Sequence, residues 1–249
     1  PAVRAAGTDP WRWRVPLSPG AAGSGQRSSG TSRNSCRTRA VRAAGSVTAV
    51  PAALTAGLDA RGTALGASRF VVLLSAWAET LAEICGQRDF AVGVPVAERT
   101  LPELERAVGC LIDMVPVRLR GTASAGGEDG IRETGRLVHG AFGRGPVPFT
   151  AVAEGATTTP GRPPVFQTLF ALQDNPPPRL DLPGVASTHL RQPYPALPLE
   201  LHLEVWPDEG GALDVVLSYR RDAVAATTAR KLLDGFHDRL TALATGATP

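Results

Sequence analysis

Long hydrophobic runs are missing from this 249-residue sequence. No stretch of about 18 apolar residues occurs, which argues against a membrane-spanning helix. The N-terminal region has arginine and alanine but no continuous apolar core followed by a small-residue cleavage site, so no secretory signal is expected. Cysteine is scarce and odd in number: Cys36, Cys85 and Cys110 stand in no CxxC or Cys/His spacing, so neither a disulfide framework nor a metal site is expected. These absences predict a soluble protein in a reducing cytoplasm, without a membrane partner.

Lysine is nearly absent as well, Lys231 standing alone beside 25 arginines. Together with abundant Ala, Gly and Pro, that bias is explained more simply by GC-rich coding than by selection for a basic surface. The formal charge of +3 is unevenly spread. Residues 1–50 hold eight arginines (Arg4, Arg12, Arg14, Arg27, Arg33, Arg37, Arg39, Arg42) against Asp9, a local +7 that leaves −4 for the remainder. Nucleic-acid binding needs a basic face on folded structure, and none is visible in the sequence, so no nucleic-acid partner is expected.

From Ala21 to Ser46 there is almost no large apolar residue and no period, too little to offset the entropy of ordering the backbone. Residues 1–46 are therefore expected to form a disordered leader, or an aberrant one, since out-of-frame translation of GC-rich DNA gives the same composition. Residues 47–244 are expected to form the folded unit, and 245–249 a tail.

Within that unit, Phe70 to Cys85 is apolar on nearly every side, with Ser68 as N-cap and Gly86 past the end, which predicts a buried helix of about four turns. Asp89 to Val96 reads as a strand, placed at an edge or bulge because of Gly93 and Pro95. Thr100-Leu101-Pro102-Glu103 has capping-box spacing and predicts a short helix ending near Gly109. Leu111 to Arg120 reads as a strand, Asp129 to Phe142 as a helix, and Gly143 to Pro148 as a loop.

Val165 to Gln173 has two filled faces, with Phe166, Phe170 and Leu172 on one and Val165, Leu169 and Ala171 on the other, so it is placed centrally. After an irregular Pro-rich stretch, Leu199, Leu201, Leu203 and Val205 alternate with Glu200, His202 and Glu204. Beyond the turn PDEGG, Leu213, Val215, Leu217 and Tyr219 repeat the pattern, predicting a hairpin with one wet face. A helix over Thr227 to Ala244 closes the chain. Helices interleaved with a mixed sheet give an α/β layered fold.

Catalytic chemistry has few candidates. Of the four histidines, His139 lies on a helix among apolar residues, His202 on the wet face and His237 on the polar side of the last helix. Each reads as structural or solvated, and His189 lies in the Pro-rich stretch. No GxSxG elbow, P-loop or GxGxxG occurs. Glu103/Glu105 and Glu200/Glu204 read as capping and strand-surface charges, so the residues alone define no active site.

Val108 to Arg118, VGCLIDMVPVR, resembles the fifth core motif of nonribosomal peptide synthetase condensation domains: Gly109, Pro116 and Arg118 match, and Asp113 stands where the family usually has Asn. Arg69 to Arg99 resembles the family's helix, Gly-Gln-x-Asp turn and Val-Gly-x-Pro-Val strand leading to an Arg. Val147-Pro148-Phe149 resembles the sixth motif, and Arg162-Pro163-Pro164-Val165-Phe166-Gln167 the end of the seventh. Departures are Arg144 and Thr150 for the sixth motif's His and Glu, and Thr158-Thr159 for the Arg-Asp that opens the seventh. Asp113 replaces a neutral donor and acceptor by an anion that only accepts.

The resemblance covers about four fifths of the chain and implies the carboxyl-terminal half of a chloramphenicol acetyltransferase-like fold, a mixed sheet flanked by helices. The family joins a carrier-bound acyl thioester to an aminoacyl amine in a tunnel between two similar halves. Its partners are peptidyl and aminoacyl carrier proteins and adjacent synthetase domains. Phosphopantetheine arrives on the carriers, and no cofactor or metal is bound directly. By this resemblance Gly109, Asp113, Arg118 and Gln167 line the tunnel; each also has a plainer role, as turn, ion pair or strand contact.

The HHxxxDG motif belongs to the preceding half, and no His-His pair occurs here. The chain is thus expected to be inactive alone and to contribute no catalytic residue. The alternatives are a non-catalytic module docking on a carrier or a separately encoded N-terminal half, or a truncated gene product.

Overall fold

A computed structural model describes residues 41–246, apart from 100, 105, 122–125, 144–146, 157–161, 175–181 and 186–191. Seven strands form one mixed sheet: β1 (Val41–Val50), β2 (Asp89–Ala97), β3 (Ile112–Arg120), β4 (Thr168–Leu172), β5 (Ala196–Leu197), β6 (Leu201–Pro207) and β7 (Leu213–Arg220), in the spatial order β3-β2-β4-β6-β7-β1-β5. The ladders β2–β4 and β4–β6 are parallel and all others antiparallel. The helices are α1 (Ala52–Ala64), α2 (Arg69–Cys85), α3 (Gly127–Phe142), α4 (Phe149–Glu154) and α5 (Ala226–Thr245).

One face of the sheet carries the core. Phe90, Val92 and Val94 of β2, Val117 and Leu119 of β3, Phe170 of β4, Leu201, Leu203 and Val205 of β6, and Leu213, Val215 and Leu217 of β7 are all buried there. They meet Leu58 of α1, most of α2, Ile131 and Val138 of α3, and Leu232, Leu233, Phe236 and Leu240 of α5. Trp77 of α2 and Phe236 of α5 meet edge-to-face with centroids 5.8 Å apart, an aromatic geometry favoured beyond area burial alone. The α2 ends are as expected: the Ser68 hydroxyl accepts from the Val71 N–H, and Gly86 turns left-handed at φ 65°.

Several expectations are corrected. The strand β1 begins at Val41, six residues before the expected boundary, and pairs with β7 from Ala43 to Val50. Backbone pairing, not apolar side chains, orders this segment, and its small residues are required: a Cβ on Gly45 would overlap Pro193 and the Leu217 carbonyl. The remainder of the expected leader, residues 1–40, lies outside the described residues, as do 247–249 of the expected tail.

The strand β2 is internal, not an edge; β3 is the edge strand on that side of the sheet. Pro95 is tolerated because the parallel ladder to β4 extends only over Val92 and Gly93. The expected helix from Thr100 to Gly109 is a single 3-10 turn, Pro102–Leu104, and Thr100 lies outside the described residues. Two helices have no counterpart in the sequence reading. One is α1, whose Gly57 packs against Ala244 and whose Gly62 packs against Ala67 and Val72; the other is the short α4.

No single helix among the described residues is long and apolar enough to cross a membrane.

Candidate functional site on the second face of the sheet

The opposite face of the sheet is covered by irregular chain and α4 instead of long helices. Period-two alternation places His202 and Glu204 there, because Leu201, Leu203 and Val205 face the core. The expected wet face is therefore corrected: Glu200 and Glu204 are each 3% exposed. What closes over them comes from segments distant in sequence, which strand alternation cannot reveal.

Arg162 grips Glu200 bidentately, Nε to Oε1 at 2.6 Å and Nη2 to Oε2 at 2.9 Å. The Gln173 amide donates to Glu204 Oε1 at 3.1 Å and the Tyr194 hydroxyl donates to the same oxygen at 3.4 Å. The Tyr194 ring stacks on His202, with centroids 5.1 Å apart and planes 15° from parallel. The Tyr194 N–H donates to the Ser218 hydroxyl at 3.0 Å, which ties the covering segment to β7.

Electrostatics follow from this enclosure. Burial pulls the His202 imidazole down from 6.5 to about 4. Its Nε2 stands 4.0 Å from Glu204 Oε1, beyond hydrogen-bonding distance. The Tyr194 phenol is pushed up, chiefly by burial and then by the Glu204 carboxylate.

Closer to the β2–β3 edge, aromatic residues build a second cluster. Phe166 lies over Gly93, where a Cβ would overlap its ring, and packs on Phe149 of α4 with centroids 5.1 Å apart. Phe166 is thus on the face opposite Phe170, contrary to the sequence expectation. Val165 takes φ 66°, a left-handed conformation rare for a β-branched residue, and this turns Phe166 out of the regular pleat before β4 begins.

The four residues expected to line a tunnel are placed as follows. Asp113 on β3 accepts the Phe149 N–H, at 3.1 Å to Oδ2, and so anchors the start of α4; Oδ1 also accepts from the Met114 N–H at 2.8 Å. Gln167 is fully buried beside Phe166, its amide donating to the Pro163 carbonyl at 2.9 Å while Oε1 has no hydrogen-bond partner. Arg118 on β3 pairs bidentately with Asp89 on β2, at 2.8 and 2.7 Å, an ion pair 34% and 38% exposed. Gly109 is exposed in the β2–β3 loop at φ 155°.

Asp113 and Gln167 are linked through the Phe149–Phe166 contact, whereas Gly109 and Arg118 stand apart from it. Thr150 is the second residue of α4; Arg144, Thr158, Thr159 and His189 lie outside the described residues.

The remaining histidines are elsewhere. His139 lines an open groove of about 880 Å³ between α3 and the α1–α2 turn, on the helical side and away from these clusters. His237 is on α5. No group of three or more His, Cys, Asp or Glu among the described residues is arranged to hold a metal ion. Neither Cys85 nor Cys110 is in a disulfide among the described residues.

The sequence placed Arg162 in a motif and Gln173 at a strand end without assigning either a role, and it did not single out Tyr194. The available signals were the motif that begins at Arg162 and the Glu200–His202–Glu204 alternation, which marks a face without saying what covers it.

Comparison with known proteins places these features in a family. The condensation domain family model matches residues 33–248. Malpinin synthetase from Mortierella alpina is 29% identical over 183 residues, which cover 72% of this chain and 2% of that protein. Phosphinothricin tripeptide synthetase PhsB from Streptomyces viridochromogenes is 33% identical over 129 residues, covering 51% of this chain and 11% of that one. The chain therefore spans a small part of these relatives.

Among solved structures, the condensation domain from the monacolin K polyketide synthase MokA superposes with a TM-score of 0.73 at 16% identity, over 98% of this chain and 55% of that one. The X-domain from teicoplanin biosynthesis gives 0.72 at 20% identity, over 84% and 48%. The likeness to these structures establishes the fold, a mixed sheet flanked by helices, while the family match extends over most of the sequence. This chain belongs to the condensation-domain family of nonribosomal peptide synthetases.

Proposed function

We propose that this chain forms one wall of a condensation site in which an amide bond is made between two carrier-bound substrates. The amine nitrogen of an aminoacyl group attacks the carbonyl carbon of an acyl thioester; the C–N bond forms, the C–S bond breaks, and the amine proton leaves with the thiol. Phosphopantetheine arms on partner carrier proteins present both substrates, so the chain needs no resident cofactor.

One observation carries this reading. Three stretches recognised separately in the sequence, VGVPVAER, VGCLIDMVPVR and RPPVFQ, fall on or beside the neighbouring strands β2, β3 and β4. Asp113 on β3 anchors Phe149, whose ring packs on Phe166, the neighbour of Gln167, so the three stretches are joined by contact as well as by strand order.

No adjacent histidines occur in the 249 residues. The group that would promote amine attack is to come from a polypeptide bearing HHxxxDG, and this chain is to be inactive without it. Incubating the purified chain with two loaded carriers tests the reading. No peptide product is expected; product above the uncatalysed level would overturn it.

A second reading, a docking module without catalysis, has its own support in the exposed apolar residues Leu101, Val108, Ile112 and Val147, which are 55% to 105% exposed. Capture of a carrier protein by the chain, with no gain of condensation activity when an HHxxxDG-bearing half is added, would favour it.

A further inference from the structure

Tyr194 is 42% exposed, yet it is held from several sides. Its N–H donates to the Ser218 hydroxyl of β7 at 3.0 Å and its own hydroxyl donates to Glu204 Oε1 of β6 at 3.4 Å. One face of its ring lies on the His202 imidazole with the planes 15° apart. The flanking residues are seated as well: a Cβ on Gly45 of β1 would overlap Pro193, and the Pro195 carbonyl accepts the Ala43 N–H at 2.9 Å. With one face and the hydroxyl engaged, the open part of the residue is the other face of the ring. A ring fixed in this way loses little freedom when something stacks on it. Helices cover the first face of the sheet, which leaves this second face to meet substrates.

The chemistry of the ring selects what stacks. The face of an aromatic ring is its electron-rich side and attracts cations. A phenol whose hydroxyl donates to a carboxylate is richer in electrons still. His202 beneath it brings no opposing charge, because burial holds the imidazole neutral, down at about 4. Gln173, which donates to the same carboxylate oxygen at 3.1 Å, is neutral as well. Of these four side chains only Glu204 is charged, and its charge is negative. A cation over the ring is attracted by ring and carboxylate together, and an anion is repelled by both.

We infer that Tyr194 is a specificity-determining residue that favours an aminoacyl substrate with a cationic side chain over neutral and acidic ones. A guanidinium fits best, being planar and weakly hydrated. The inference rests on the function proposed above and adds to it the class of substrate.

The test is an NMR titration of the chain with pantetheine carrying arginine, leucine or glutamate through a stable amide in place of the thioester. All three probes bear the same α-amine, so only the side chain differs. The arginine probe should bind about threefold to tenfold more tightly than the leucine probe, and the glutamate probe least. The arginine δ-methylene protons should shift upfield over the ring. In Tyr194→Leu the arginine and leucine probes should bind alike and the upfield shift should vanish. Tyr194→Phe, which keeps the ring but not the bond to Glu204, should fall between, and it replaces the leucine variant should that one fail to fold. Equal binding of the three probes by the unaltered chain, or an arginine preference that survives Tyr194→Leu, would overturn the role of Tyr194 and leave the proposed function standing. Binding of none of the three would overturn the proposed function and this inference with it.

Discussion

On one face of the sheet, strand residues such as Phe90, Leu203 and Val215 meet α1, α2, α3 and α5 in a continuous apolar layer. On the other, Glu200, His202 and Glu204 meet Arg162, Gln173 and Tyr194, which come from irregular segments. Both faces are buried, but the first is held by area and the second by matched polar partners. Area tolerates exchange of one apolar group for another of similar volume. A buried carboxylate tolerates nothing that removes its partner. The polar face is accordingly the part of the molecule where identity of residues matters most.

Substitutions on either side sharpen that contrast. The largest loss is expected from Phe236→Ala on the helical side, where the ring is fully buried against Trp77. About 3–5 kcal/mol should be lost, read as a lowered denaturation midpoint with an unchanged slope. The same experiment should leave the Tyr194–His202 contact intact in the folded population.

On the polar face, the His202 imidazole titrates at about 4 in the folded chain against 6.5 when unfolded. Between these values the unfolded chain holds a proton that the folded chain does not, so the His202 contribution to stability is full above pH 6.5 and is lost as pH falls toward 4. The loss over that window should be roughly 3 kcal/mol. Unfolding free energy measured against pH should fall less steeply between pH 6.5 and 4 in His202→Gln than in the unaltered chain.

Arg162→Ala leaves Glu200 buried without this partner. Removing one member of an enclosed pair costs about 3–5 kcal/mol, and about 2–3 is expected here because the guanidinium keeps part of its surface in water. Replacing both residues, Arg162→Met with Glu200→Leu, should restore much of the loss in a denaturant titration. An equal loss in the double variant would show that the polar face depends on packing rather than pairing.

The smallest effect belongs to Asp113. Changing it to Asn keeps a carbonyl acceptor for the Phe149 N–H and should alter stability by less than about 0.5 kcal/mol. Asp113→Ala removes the anchor and should cost about 1 kcal/mol, with faster hydrogen exchange confined to α4.

The helical face was legible in the sequence because periodicity reports burial directly: α2, α3 and α5, with strands β3, β6 and β7, lie where their apolar residues recur. The fold class and family could be read for the same reason, joined to the motif spacing. The second face was not legible. Alternation marked Glu200, His202 and Glu204 as facing away from the core, but the covering residues lie 8 to 38 positions off in irregular chain with no period.

Local rules failed where tertiary contacts overrode them. Pro95 looked like an edge signal, yet β2 is internal, paired with β3 and β4, and Pro95 fits because the ladder to β4 is short. Gly93 looked like a weakness and is the seat of Phe166. The apolar-poor start of β1 looked disordered, although backbone pairing to β7 carries it. Of the four candidate site residues, Asp113 is tied to the segment preceding β4 through Phe149 and its contact with Phe166, which no spacing encodes.

The central claim, that this chain is one wall of an amide-forming site completed by an HHxxxDG-bearing half, is tested most directly by reconstitution. The chain and the segment that directly precedes the matched residues in phosphinothricin tripeptide synthetase PhsB, separately and mixed, are incubated with an acyl-loaded and an aminoacyl-loaded carrier, and carrier-bound amide is followed by mass spectrometry. The account predicts product only in the mixture, and loss of that product when the first or second His of HHxxxDG is replaced by Ala. Product from this chain alone, or a mixture that binds tightly yet makes none, would contradict it.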